Sequence, residues 1–455
     1  MLKQQKIFFD FLRFCIGSAK EIPDSLKEAD WKELYAIAKK QCLVGVLFDG
    51  IKKLPAEHVG MKKEILLQWM AESQMLEKAN VRLNDAVIQV SEWFRKKGFR
   101  TCILKGQGNA LMYPNPYSRT PGDIDIWVDG GDKRVISFVR SISPHEKACY
   151  HHIEFPSYKG VEVEVHYRPS FLLCFWHNRK LQKYYERVKE EQFSHRVMLA
   201  EQGEIAIPTV EFNIIFQLTH IYSHLMNEGI GLRQLVDYYY VLCDFYKVYK
   251  KSSKITPSLF TLKEGDFSNP SVSLSKGSST FSPSPSSSGS GDVTAPSRCS
   301  EPLRSKDGGP SKVSPDCAGW DRLSIEGDNS AGSTTAVTSS ASTALDVVQK
   351  ELKELGLWKF AGGIMYIMQE VFGMPASRLI VPPNEKYGKF VLNEVLEAGN
   401  FGRHDARNRF GRSQLGHNLQ RVYRDIRLVR YFPAEALCEP IFRTWHFFWR
   451  LKYKK

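Results

Sequence analysis

Nowhere in its 455 residues does the chain run for about 18 apolar residues free of charge, the least that carries a helix across a bilayer, so no membrane-spanning helix is expected. CxxC pairs are missing, and so is any close Cys/His quartet. A zinc knuckle or a disulfide framework is therefore not expected. The nine cysteines are scattered and mostly flanked by apolar residues, which suits a reducing compartment, with Cys15, Cys102 and Cys243 as small core residues. An uninterrupted leader core is absent too: the first twenty residues begin like a signal peptide, but Asp10 and Arg13 break the apolar run of roughly 7 to 15 residues that export needs. A cytoplasmic protein is expected. No internal repeat of useful length is present.

What the chain does have is enough apolar surface for two or three domains, with 42% hydrophobic residues. Its formal charge of +13 favours polyanionic partners such as nucleotides, RNA or anionic lipid. Residues 1–98 carry a helical pattern, clearest over 62–97, where Ile65, Leu66, Trp69, Leu76, Leu83, Val87, Val90 and Phe94 recur at helical spacing before Gly98. The period then changes. Residues 100–104 read as a short buried strand, 123–128 and 161–167 as alternating strands, and 132–141 as a short helix, so 99–205 is an α+β region. Helical pattern returns over 206–251, with Thr209 as N-cap. Residues 252–344 are rich in Ser, Gly, Pro and Thr, with few aromatic residues and no apolar period; a disordered insertion is expected there, Cys299 and Cys317 included. A helical region over 345–455 closes the chain, and its aromatic, basic end (Trp445, Phe447, Phe448, Trp449, Tyr453) is read as a helix covering the core.

Chemistry is concentrated at Asp123 and Asp125. Two apart on a strand, they share a face with alpha carbons roughly 6.5 to 7 Å apart. Carboxylates so close repel one another, and a divalent cation between them removes that penalty. A third carboxylate from a neighbouring strand would complete a site for two Mg²⁺ about 3.5 to 4 Å apart, the arrangement that holds both oxygens of an in-line phosphoryl displacement. Glu162 and Glu164 share one strand face with His166, and alternation does not separate them. Upstream, Leu104-Lys105-Gly106-Gln107-Gly108-Asn109 joins a strand to a helix, a turn whose glycine lets backbone approach a phosphate. His220 and His224, one helical turn apart, lack the glutamate of an HExxH motif and are read as packing or polar-network residues.

The order strand, glycine turn, helix, DID strand, E-V-H strand resembles the DNA polymerase beta superfamily of nucleotidyltransferases. Within it the chain is similar to an uncharacterised bacterial nucleotidyltransferase family with LKG, R-x-x-x-DID and E-x-H-[WY] motifs. They stand here as Leu104-Lys105-Gly106, Arg119-Thr120-Pro121-Gly122-Asp123-Ile124-Asp125 and Glu164-Val165-His166-Tyr167. The likeness extends to the helical segments 229–237 and 399–402. It implies a polymerase-beta-like core flanked by helical regions, with Asp123, Asp125 and Glu164 as catalytic and metal residues. It further implies two Mg²⁺, a nucleoside triphosphate substrate, and Lys105, Gly106, Arg119 and His166 around the nucleotide. The acceptor, whether small molecule, protein or RNA, is not implied. Gly106-Gln107 departs from the superfamily's usual Gly-Gly or Gly-Ser. The rival expectations are a non-catalytic binding module of the same fold and an RNA-directed enzyme.

Overall fold

Asp30 begins the architecture by doing what an N-cap residue does. Its carboxylate accepts from the amides of Lys32 (2.9 Å) and Glu33 (3.1 Å). That starts α2 (Trp31–Lys40), which with α1 (Lys3–Cys15) and α3 (Val44–Ile51) forms an apolar N-terminal cluster on α4 (Lys63–Lys96). The computed structural model describes residues 3–55, 60–200, 202–253, 341–405, 407 and 414–453. The expected disordered insertion thus lies mostly outside the described residues. Its two ends, 252–253 and 341–344, are helical.

After α4 come β1 (Thr101–Ile103), the single turn α5 (Gln107–Ala110), β2 (Ile124–Val128), α6 (Gly131–Ile142), β3 (His152–Tyr158) and β4 (Val161–His166). The four strands form one mixed sheet in the order β1-β2-β4-β3, with β2 and β4 parallel and the other pairs antiparallel. Helix α7 (Phe175–Ser194) leads to a separate hairpin of β5 (Arg196–Leu199) and β6 (Gly203–Ala206). The long helices α8 (Val210–Asn227) and α9 (Leu232–Ser253) follow, and Thr209 caps α8 as its sequence position suggests, accepting from the Phe212 amide at 3.4 Å. The remaining helices are α10 (Ala341–Glu354), α11 (Trp358–Glu370), α12 (Glu385–Ala398), α13 (Gln414–Val429) and α14 (Pro433–Lys452). A mixed sheet with helical flanks is the fold class that the motif order implied.

Strands β3, β5 and β6 escape a reading by pattern. β3 carries Pro156, tolerated because β3 is an edge strand, and its register with β4 shifts between Phe155 and Tyr158. β5 and β6 have four residues each, too few to establish a period. None of the described helices is long and apolar enough to cross a membrane.

Candidate active site

Strand β2 is buried along its whole length. Ile124, Ile126 and Val128 fill one face, and on the other Trp127 packs against Phe193 and Phe212, ring centres 4.7 and 5.8 Å away. Asp125 stands on that second face at 4% exposure. A carboxylate buried there must be paired. Lys105 Nζ lies 2.8 Å and His166 Nε2 3.0 Å from Asp125 Oδ1. Parallel pairing sets Asp125 opposite Glu164 and Trp127 opposite His166. Glu164 Oε2 consequently lies 3.4 Å from both His166 Nε2 and His152 Nδ1. Glu162, two residues earlier, is exposed. Asp123 immediately precedes β2 and lines the same cavity as Asp125 and Glu164.

The three carboxylates differ electrostatically. The charge on Asp125, with burial second, raises the Asp123 carboxyl above its ordinary range. Burial also pushes Asp125 upward, but Lys105 and His166 outweigh it and hold Asp125 well below that range. Glu164 is depressed as well: against burial, its hydrogen bond with His166 prevails. Burial disfavours the His166 imidazolium, yet Asp125 and Glu164 raise its pKa from 6.5 to about 9. A group raised in the fold contributes stability in full below its unfolded pKa and loses it as pH rises through the folded value. Metal-free protein should accordingly melt progressively lower between pH 6.5 and about 9, and His166→Asn should flatten that slope. Melting curves in chelator across this range test it; an unchanged slope in the variant would refute the pairing.

Lys105 reaches this cluster from the turn after β1. Gly106 makes the turn at φ +54, where an L side chain is disfavoured. The following α5 is one turn of four residues, so little helix dipole is available to hold a phosphate. Gln107 points away from the cavity, its amide donating to Asn84 on α4. Lys105 Nζ also sits 3.0 Å from His220 Nε2, and His220 Nε2 lies 2.9 Å from His224 Nε2. The two histidines, read as a polar network, do form one, and it belongs to the cavity wall. Burial, followed by the Lys105 charge, drives the His220 pKa well below its usual value.

Arg119 is committed inward. Its Nε and Nη2 each donate to Asp237 at 2.8 Å, and Tyr113 Oη donates to the same carboxylate at 2.6 Å. Neighbouring Arg233 donates to the Thr120 carbonyl at 3.1 Å, while its Nε is buried without a hydrogen-bond partner. Burial first, then the Arg119 charge, lowers the Arg233 pKa.

The two outlying motifs meet. A Cβ on Gly231 would lie 2.9 Å from the Asn400 Cα, and one on Gly402 would strike the Glu228 carbonyl, so glycine allows segments 229–231 and 399–402 to touch. Gln234 Nε2 donates to Asn400 Oδ1 at 3.0 Å across the same seam. The result is a wall bearing Arg233, Phe401 and Arg403.

Together these elements enclose a cavity of about 660 Å³, within the usual range for small-ligand sites, about 300 to 1,000 Å³. Asp123, Asp125, Glu164, Lys105, Gly106, Arg119 and His166 all line it. Sequence reasoning missed several other lining residues. His151 and His152 face His166 from β3 and its approach, ring centres 5.3 Å away in both cases. The adjacent histidine pair was the available signal. Arg403 and Arg421 come from distant helical segments and carried none. Ligand atoms of Asp125, Glu164 and His166 lie within 4.8 Å of one another, as do those of His151, His152 and His166.

Residues 27–248 match the model of a family described as an uncharacterised nucleotidyltransferase. That span holds the carboxylates, Lys105, Arg119 and Arg233, but not Phe401, Arg403 or Arg421. No curated protein and no solved structure matches the chain.

Proposed function

We propose that this chain, whose residues 27–248 match the model of an uncharacterised nucleotidyltransferase family, moves a nucleoside monophosphate from a nucleoside triphosphate to a hydroxyl acceptor with the help of a divalent metal. The carrying observation is the composition of one cavity, with Asp123, Asp125 and Glu164 on one side and Arg233, Arg403 and Arg421 also in its lining.

The donor set fits Mg²⁺. Hard divalent ions take carboxylate oxygens, and the repulsion that raises Asp123 is relieved by a cation shared with Asp125. Asp123, Asp125 and Glu164 would hold up to two such ions, which supply charge stabilisation at the reacting phosphate and its leaving group. Lys105 already contacts Asp125, so it competes with a cation for that carboxylate and is well placed to contact phosphate oxygens. Arg233, with its unpartnered Nε, suits the far end of a triphosphate. Arg119 braces the wall through Asp237. Glu164 takes the acceptor's proton as the acceptor oxygen attacks the α-phosphorus. The bond to the bridging oxygen breaks and pyrophosphate leaves. His166, bonded to both Asp125 and Glu164, fixes their orientation.

The test offers the four α-labelled triphosphates, with Mg²⁺, to the protein in cell extract. Covalent transfer of label, with stoichiometric pyrophosphate, is expected from one or more of them. The labelled material shows whether the acceptor is RNA, protein or a small molecule, and steep loss with salt would mark a nucleic acid. Nucleotide binding without pyrophosphate release at any metal concentration would instead establish a non-catalytic module.

A further inference from the structure

Two short sequence pairs, far apart in the chain, meet at the start of α7. Cys174 is the N-cap residue of α7 and His177 follows it by three; Glu435 and Cys438 stand three apart on α14. A spacing of three puts two side chains on one helix face. Ligand atoms of Cys174, His177 and Glu435 lie within 4.8 Å of one another. Cys438 stands outside that trio but close enough that, after burial, Cys174 and then Glu435 push its thiol up to about 11. Glu435 is a buried carboxylate, 2% exposed. Its Oε2 accepts from the amides of Leu173 (2.6 Å) and Cys174 (2.9 Å), which leaves Oε1 facing His177 Nδ1 at 3.3 Å. The imidazole is confined as well, since any Cβ on Gly356 would collide with its ring.

We propose that Cys174, His177 and Glu435, with Cys438 drawn in from the next turn of α14 as fourth ligand, form a structural binding site for a thiophilic divalent ion, of which zinc is the type. Two thiolates, one imidazole and one carboxylate suit a closed tetrahedral zinc site, and thiolates disfavour Mg²⁺. The two amides on Oε2 are the outer contacts that orient a ligating carboxylate. None of the four residues lines the active-site cavity, and the proposal stands independently of the proposed reaction. It has a consequence for that cavity nonetheless. Phe442, one turn beyond Cys438, stacks on Phe171 at 5.3 Å, and Phe442 and His446 line the cavity. An ion joining the starts of α7 and α14 fixes that wall.

Ligand thiols and imidazole must shed their protons on binding, so loading releases protons and depends on pH. The test uses the full chain, purified with reductant and without chelator. One equivalent of zinc should survive dialysis, and replacement by Co²⁺ should give a thiolate-to-cobalt charge-transfer band that an oxygen-and-nitrogen site cannot produce. Cys174→Ser and Cys438→Ser should each weaken binding by at least about tenfold and diminish the band, while Asp125→Asn keeps it. Should either serine variant fail to fold, the cobalt spectrum of the parent protein decides alone. Absence of the band in fully reduced protein, or a Cys174–Cys438 disulfide in protein purified without reductant that leaves no metal bound, overturns the proposal.

Discussion

Asp125→Asn is expected to lower Mg²⁺-dependent nucleotide turnover by at least about a hundredfold, the scale of losing a major electrostatic contributor, and to lower the melting temperature of the metal-free protein. The second effect follows from its partners. Lys105 and His166 are both held by Asp125, and the amide would leave a half-buried ammonium and a buried imidazolium undercompensated. Asp123→Asn should lose as much turnover but melt no lower without metal, because it removes the like charge that repels Asp125. The pair of aspartates therefore separates into one that organises the apoprotein and one that strains it. Glu164→Gln should follow Asp125→Asn in turnover, while Glu162→Gln, on an exposed side chain, should stay near the parent. Turnover of all four variants, beside melting curves with and without Mg²⁺, checks the set. Normal turnover in both aspartate variants would refute the metal site, and an inactive Glu162→Gln beside an active Glu164→Gln would move the third ligand.

Arg119→Ala should destabilise the fold by about 3 to 5 kcal/mol, the range for removing one partner of a buried ion pair. Arg119 is 3% and Asp237 6% exposed, so the stranded carboxylate keeps the Tyr113 hydroxyl but loses both guanidinium bonds. With Arg119 gone, burial is opposed only by Arg233 and the Tyr113 hydrogen bond, so the carboxyl either stays charged and undercompensated or takes up a proton that the unfolded chain does not hold at neutral pH. An apolar double replacement, Arg119→Met with Asp237→Leu, should recover much of the loss, because paired burial of two charges is itself costly. Urea unfolding of the single and double variants measures this. A single variant with parental stability but weakened nucleotide binding would show instead that Arg119 acts on the phosphates.

Much of the site was legible because its residues break the pattern of their own elements. Asp125 interrupts an otherwise apolar strand and is marked by residue type, whereas Glu164 was told from Glu162 only by the E-x-H motif that the resemblance supplied. The parallel register joining Asp125 to Glu164 was not legible, since the intervening edge strand β3 hides behind Pro156 and two histidines. Arg119 is harder: the motif set it around the nucleotide, and only the fold brings Asp237 to it from α9. Segments 229–231 and 399–402 each carried glycines without an evident reason. Their reason is mutual, a backbone contact across about 170 intervening residues, which no local pattern encodes.

Gln41 gives the long-range character of this architecture a temporal meaning. Its side chain donates to the Val395 carbonyl at 3.2 Å and accepts from the Leu232 amide at 2.8 Å, tying the N-terminal helices to the start of α9 and the end of α12. Contacts so distant in sequence form late, because the entropy of closing the intervening chain must be met before they contribute. A nascent chain of about 250 residues already holds Asp123, Asp125, Glu164, Lys105 and Arg233, yet Phe401, Arg403, Arg421 and Phe442 are still to be synthesised. The carboxylates are thus written early and enclosed last, so that a chain interrupted during synthesis carries the acidic cluster without the walls that would admit and hold a substrate.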